Sequence, residues 1–198
     1  MKNPFKNTTF LFGVTKAEKL PSDNGIEVLL SGRSNAGKSS ALNSLADNKK
    51  LARISKTPGR TTEINFFEVE DGFKLLDLPG YGFAKSGRSR RKNWGPLLEE
   101  YFKNRQGLKA VLIFMDIRHP LKPIDLEMIK LCESFDIDYV AVLTKSDKVS
   151  KNISAKTIQQ VSEAINAKEI LIISSLKKIG FEKLRKVLIG FKYESVSY

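Results

Sequence analysis

The stretch Ile26-Glu27-Val28-Leu29-Leu30-Ser31-Gly32-Arg33-Ser34-Asn35-Ala36-Gly37-Lys38-Ser39-Ser40 decides how this chain reads. Ile26–Ser31 is a short apolar run of strand character, and Lys38–Ala46 carries apolar residues at helical spacing. Between them stands G-x-x-x-x-G-K-S, in the strand-then-helix context a phosphate-binding loop requires. Gly32 and Gly37 let the backbone turn tightly. The amides of Arg33, Ser34, Asn35 and Ala36, with the N-terminal end of the helix, are then free to face phosphate oxygens. Lys38 is the residue that neutralises β- and γ-phosphates, and the Ser39 hydroxyl is the first Mg²⁺ ligand, with Ser40 beside it in the first turn.

Working outward, short apolar runs alternate with amphipathic stretches, the pattern of strand–helix units around a mostly parallel sheet. The spacing predicts strands at Ile26–Ser31, Glu63–Val69, Phe73–Asp77, Ala110–Asp116, Tyr139–Thr144 and Ile170–Ser174. Helices fall near Lys38–Ala46, Arg88–Asn104, Ile124–Phe135, Asn152–Ala164 and Ile179–Leu188. Only Glu70-Asp71-Gly72 separates the second and third strands, so they form a hairpin, and one strand is reversed at the edge of the sheet. The expected class is therefore α/β, a six-stranded mostly parallel sheet with one antiparallel strand and helices on both faces. Residues 1–24 read as an extension packed on a single domain spanning 25–198. Stretches Lys49–Thr62 and Pro79–Trp94, the first carrying Pro58-Gly59 and several basic residues and the second rich in Gly, Ser, Arg and Lys, read as surface loops or partly ordered segments, which at this length are usually functional or disordered.

Composition narrows the chemistry. The chain has 198 residues and a formal net charge of +12, a balance that favours polyanionic partners. Its single cysteine, Cys132, excludes an intrachain disulfide and any cysteine-built cluster; it is expected to pack as a small apolar residue in a reducing compartment. No apolar run approaches the roughly 20 residues that span a bilayer, and there is neither a signal peptide nor a lipidation signal, so a cytoplasmic monomer with no stable membrane attachment is expected.

Further elements follow at later strand ends. Asp77-Leu78-Pro79-Gly80 places a carboxylate where it can reach Mg²⁺ and a glycine amide where it can sense a γ-phosphate. Thr144-Lys145-Ser146-Asp147 supplies a carboxylate able to accept from both N1–H and the 2-amino group of guanine, a donor pair adenine lacks, and a lysine stem to cover the purine face. Ser174-Ser175-Leu176 follows the last strand and offers a backbone N–H to guanine O6.

In this order the elements resemble the motifs of Ras-like, translation-factor-related P-loop GTPases. Four longer segments, Thr57-Pro58-Gly59-Arg60-Thr61-Thr62-Glu63-Ile64-Asn65-Phe66-Phe67, Asp77-Leu78-Pro79-Gly80-Tyr81-Gly82, Asp116-Ile117-Arg118-His119-Pro120-Leu121 and Ser174-Ser175-Leu176-Lys177-Lys178, are similar to the bacterial EngB family, also called YihA or YsxC, within the TrmE-Era-EngA-EngB-Septin-like GTPases. The likeness runs from about Gly25 to Leu188. It implies GTP and GDP binding with Mg²⁺, and a role in assembling the large ribosomal subunit, through its RNA or proteins, with a link to cell division and septation. By position, Thr61 matches the switch I threonine that closes over Mg²⁺ and the γ-phosphate, with Gly59 and Arg60 beside it, while Thr62 stands where relatives often carry Gln. Lys38, Thr61 and Gly80 are the implied catalytic set, and Ser39, Thr61 and Asp77 the implied metal set.

Where Ras-like enzymes carry a water-orienting Gln, this chain has Tyr81, so slow intrinsic hydrolysis is expected. In a related group of GTPases an Asn at the position of Asn35 helps coordinate K⁺, which offsets transition-state charge; the alternative is that Asn35 ties down its own loop. Lys85, Arg88, Arg90, Arg91 and Lys92, just beyond Gly80, are the candidate RNA contacts, with Lys49, Lys50, Arg53, Lys56 and Arg60 extending the basic face and Trp94 read as an anchor for the next helix. His119, with no nucleophile or metal ligand near it in sequence, reads as a structural loop residue. A competing reading is a guanine-nucleotide-gated adaptor that binds a division-machinery protein rather than ribosomal RNA.

Overall fold

A computed structural model of the chain describes residues 3–52, 63–78 and 97–194. In chain order the elements are β1 (Thr9–Val14), β2 (Ile26–Gly32), α1 (Lys38–Leu45), β3 (Ile64–Glu70), β4 (Phe73–Asp77), α2 (helical over 97–104), β5 (Leu108–Asp116), α3 (Pro123–Ser134), β6 (Asp138–Thr144), α4 (Lys151–Ala164), β7 (Glu169–Ile172) and α5 (Phe181–Glu194). They form one sheet in the order β1-β3-β4-β2-β5-β6-β7. The pairs β4–β2, β2–β5, β5–β6 and β6–β7 are parallel, while β3 runs antiparallel to both β1 and β4.

The α/β class and the hairpin are as the sequence predicts, but two details differ. Among the described residues the sheet has seven strands rather than six, and the reversed strand β3 lies inside the sheet because β1 covers its outer side. β1 escapes a period-two reading because the register shifts between Phe10 and Phe12. That bulge sends the two rings to opposite faces, Phe10 edge-on to Phe67 at 5.6 Å and Phe12 against Phe66 at 5.0 Å. As the outermost strand, β1 leaves Phe10 51% and Phe12 38% exposed. In the hairpin Glu70 pairs with Phe73, leaving Asp71-Gly72 as the turn, with Gly72 at φ +72°, where a side chain would be strained.

Strand alternation builds a core on each face. Ala110, Leu112 and Phe114 of β5 pack with Ala41, Leu42 and Leu45 of α1 and Leu184 and Leu188 of α5. Val111, Ile113 and Met115 pack with Leu98 and Tyr101 of α2, Met128, Ile129 and Cys132 of α3 and Val161 of α4. Each of the larger aliphatic side chains contributes about 1.5–3 kcal/mol by leaving water. Cys132 is fully buried, in keeping with its reading as a small apolar residue.

The helices end where local chemistry dictates. The Asp125 carboxylate accepts from Lys122 N at 3.0 Å and Pro123 opens α3; Ser150 caps α4 by accepting from Ile153 N at 3.3 Å. The N-terminal segment is fastened to the body of the fold. Phe5 is fully buried, edge-on to Phe73 at 6.2 Å, and Asn3 Nδ2 donates to Leu45 O at 2.9 Å. At the opposite end of β2 from the glycine-rich loop, the buried Glu27 carboxylate accepts from the Tyr101 hydroxyl and from Arg105 Nε at 3.1 Å and Nη2 at 2.5 Å. Burial, reinforced by the Glu27 charge, pushes the Tyr101 phenol well above its ordinary value. This network ties the C-terminal end of α2 to the sheet.

Candidate functional site

The loop of residues 32–37 follows β2, Asp77 ends β4, Asp116 ends β5, Thr144 ends β6 and Ser174 lies just beyond β7. These strands are parallel, so all of these positions share one rim, the place where open α/β sheets hold their ligands. The motifs separated in sequence meet there.

The loop is shaped by close approaches. A Cβ on Gly32 would lie 2.7 Å from Phe114 O, so only glycine fits against β5. Gly37 has φ +97° and lies against Thr144, and Asn35 has φ +63°, turning the chain between them. Helix α1 then starts at Lys38 with no side-chain cap. Within the loop Ala36 N donates to Arg33 O at 3.0 Å, and the first-turn amides of an uncapped helix are the groups an anion can satisfy.

Lys38 is buried and its ammonium donates to Asp77 Oδ1 and to Leu78 O. The lysine that would meet phosphates and the carboxylate that would reach a metal therefore sit together, with Ser39 adjacent at the helix start. A serine hydroxyl and one carboxylate are hard oxygen donors that suit Mg²⁺, which takes few protein ligands and completes its shell with phosphate and water. The donor set fits that ion.

The segment expected to read the base is joined to this loop. The single Thr144 hydroxyl proton is shared between Ala36 O at 2.5 Å and Met115 O at 3.2 Å. Lys145, at φ +58°, donates from Nζ to Asn35 O at 2.7 Å and to Asp116 Oδ2 at 2.9 Å. Asp147 Oδ1 accepts from Ser174 Oγ at 2.5 Å, and Ser146 N donates to Ile173 O at 3.2 Å, so the segments after β6 and β7 form one unit. The Ser174 hydrogen bond is the main reason the Asp147 carboxyl is held below its ordinary value. Ser174 is also bridged to Ile179 by reciprocal backbone bonds of 3.0 Å, closing a small loop on which the Leu176 side chain is 72% exposed. Leu176 can contribute through its backbone.

Of the residues expected from sequence, the structure brings together Gly32, Arg33, Ser34, Asn35, Ala36, Gly37, Lys38, Ser39, Ser40, Asp77, Thr144, Lys145, Asp147, Ser174, Ser175 and Leu176 around this rim. Gly59, Arg60, Thr61, Gly80, Tyr81, Lys85, Arg88, Arg90, Arg91, Lys92 and Trp94 lie outside the described residues, as do Arg53 and Lys56. Arg33 points its side chain away from the loop's interior: Nη2 donates to His119 O at 3.2 Å and Nε lies 3.5 Å from Asp125. His119 is thus a backbone partner of the loop.

Residues to which pattern reading gave no role are Asp116 and Arg118. Asp116 is buried, and burial by itself would raise its carboxyl, but hydrogen bonds from Arg118 and Lys145 outweigh that and hold it far below the usual carboxylate range. The signals in the sequence were an aspartate ending an apolar strand two positions before Arg118 and the place of both in the segment Asp116-Ile117-Arg118-His119-Pro120-Leu121.

A family model described as 50S ribosome-binding GTPase matches residues 27–145. The probable GTP-binding protein EngB of Salmonella paratyphi B is 46% identical over 188 residues, covering 93% of this chain and 90% of that protein. Its counterpart in Escherichia coli O139:H28 gives the same figures. Among solved structures, a probable GTP-binding protein engB aligns with TM-score 0.69 and 23% identity over 85% of this chain and 99% of that one. Era in complex with MgGDPNP and nucleotides 1506–1542 of 16S ribosomal RNA aligns with TM-score 0.67 and 20% identity over 85% of this chain and 57% of that one. At these identities the structural matches speak to the fold.

Proposed function

The chain belongs to the EngB family of GTP-binding proteins, GTPases by family, and on that premise we propose that it is a nucleotide-gated assembly factor for the large ribosomal subunit. The observation that carries this reading is the match of residues 27–145 to a family described as 50S ribosome-binding GTPases, in a chain with a net charge of +12. A surplus of cations suits a partner built of phosphodiesters, since each phosphate neutralised releases counterions.

Residue chemistry supplies the gate. Lys38 leaves Asp77 for the β- and γ-phosphates, the loop amides and the start of α1 take the remaining phosphate oxygens, and Asp147 with Ser174 reads the guanine edge. Ser39 and Asp77, with Thr61 joining in the GTP state, would hold Mg²⁺, which would supply neutralisation of phosphate charge. Gly80 follows Asp77 by three positions, so a γ-phosphate contact at Gly80 is passed directly into the basic segment that includes Lys85, Arg88, Arg90, Arg91 and Lys92, the proposed RNA contacts. Asn35 makes no side-chain hydrogen bond among the described residues and is the proposed K⁺ ligand; hydrolysis faster in KCl than in NaCl supports that role, and equal rates remove it.

Among the described residues no helix is long and apolar enough to cross a membrane. The proposed site of action is the cytoplasm, with the protein acting as a monomer.

The test is co-sedimentation with purified large ribosomal subunits at moderate salt, with a non-hydrolysable GTP analogue, GDP or no nucleotide. Binding confined to the GTP analogue and weakened steeply by salt supports the reading. Equal or absent binding in all three states overturns it and favours a division-machinery adaptor.

A further inference from the structure

We propose that Asp116 is a positioning residue of the guanine-nucleotide site, acting through Lys145, and that Arg118 sets the orientation of its carboxylate. The inference rests on guanine-nucleotide binding at this rim and adds to it a layer that the sequence motifs do not contain.

A lysine on a four-carbon stem is a mobile group, and holding its stem over a purine face requires that its ammonium be pinned. Here the Lys145 ammonium is pinned from two sides, by Asn35 O at 2.7 Å and by Asp116 Oδ2 at 2.9 Å. Asp116 is itself held in a single orientation. Its Oδ1 accepts from Arg118 N at 3.1 Å and Nε at 2.9 Å, and its Oδ2 accepts from Arg118 Nη2 at 2.6 Å. The planar guanidinium and the planar carboxylate thus meet in the bidentate geometry that fixes both groups. The result is a continuous chain from Arg118 through Asp116 and Lys145 to Asn35, linking the loop after β5 to the phosphate loop. A second strut runs beside it, from Arg33 Nη2 to His119 O at 3.2 Å.

The electrostatics agree with this geometry. Asp116 is 6% exposed, whereas the side chains of Arg118 and Lys145 are 43% and 33% exposed. The buried carboxylate is the fixed point from which two more mobile cations are displayed at the rim. Neither cation requires Asp116 for solvation, so the pairing, besides compensating the buried carboxylate, places both cations.

The experiment is a double-mutant cycle on affinity for a fluorescent GDP analogue, using Asp116→Asn, Lys145→Ala and the double variant, each with its melting temperature. Asp116→Asn is expected to weaken GDP binding roughly tenfold, the loss of a hydrogen bond between charged groups. In the Lys145→Ala background the same change is expected to cost at most about twofold, since the group it acts through is gone. The loss in Asp116→Asn is expected to fall mainly on KM for GTP, with a smaller effect on kcat. Arg118→Ala, which leaves Asp116 and Lys145 in place, is expected to weaken GDP severalfold with the same dependence on Lys145, and it provides the cycle if Asp116→Asn does not fold. Unchanged affinity in Asp116→Asn, or an equal loss with and without Lys145, overturns the proposal. Wild-type protein that fails to bind the GDP analogue overturns the guanine-nucleotide premise as well, which separates the two failures.

Discussion

The hydroxyl of Ser174 donates to Asp147 Oδ1 at 2.5 Å, and Ser174 is fully buried. A residue just beyond the last strand therefore orients the carboxylate proposed to select the base, so that base specificity would depend on a pair of segments. Ser174→Ala removes that donor while leaving the backbone bridge to Ile179 intact. We expect affinity for GDP to fall about fivefold, corresponding to ~1 kcal/mol for one hydrogen bond, and the melting temperature to fall slightly because Lys177 N loses the Ser174 Oγ acceptor it meets at 3.1 Å; fluorescence titration checks the affinity.

The proposed role of Asp147 is to accept from two donors of guanine. In Asp147→Asn the side chain presents a donor, which meets the C2 carbonyl of xanthine and clashes electrostatically with the 2-amino group of guanine. The expected outcome is loss of GDP binding with gain of xanthosine diphosphate binding, read by competition against a labelled nucleotide. Retention of guanine preference would mean that Asp147 does not face the base.

Lys38 and Asp77 form a buried ion pair, and breaking one side strands the other. Lys38→Met is expected to abolish nucleotide binding and also to destabilise the protein by about 3 kcal/mol, because the Asp77 charge keeps its burial and loses its cation. Adding Asp77→Asn should recover much of that stability and none of the binding. Chemical denaturation of the three proteins without nucleotide measures it.

Burial pushes the Cys132 thiol up to about 12. Below that value the thiol stays protonated, and the thiolate is the reactive form. Folded protein at pH 8 is therefore expected to show no reaction with a disulfide reagent such as dithionitrobenzoate, whereas the chain in guanidinium reacts with a stoichiometry of one.

The Asp116 carboxyl is held far below its ordinary value in the folded protein. A depressed carboxylate contributes stability that is complete above the unfolded value of roughly 3.9 and is lost as pH falls toward the folded value. Melting temperatures of wild type and Asp116→Asn should therefore differ at pH 6 and converge as the pH is lowered through about 4 to 2. A constant difference across that range would contradict the ion-paired state of Asp116.

Much of this protein is legible in one dimension because its chemistry is local. The glycine-rich loop, Asp77, Thr144-Lys145-Ser146-Asp147 and Ser174 each lie at the end of a strand whose apolar run marks it, and β-strands running parallel must bring their C-terminal ends to one rim. The order of those motifs, together with residues such as Asp116-Ile117-Arg118-His119-Pro120, was enough to point to the family. What only the tertiary structure decided depends on contacts between residues far apart in the chain. β1 carries no alternating pattern because a bulge turns Phe10 and Phe12 to opposite faces, so its place beside β3 rests on pairing with Phe67 and Phe66. Asp116 and Lys145 are 29 positions apart, as are Met115 and Thr144, whose bond is 3.2 Å. No local spacing encodes a carboxylate on one strand end that pins a lysine on the next. Side-chain direction is set by packing and charge in three dimensions, and the sequence states only which groups are available to be packed.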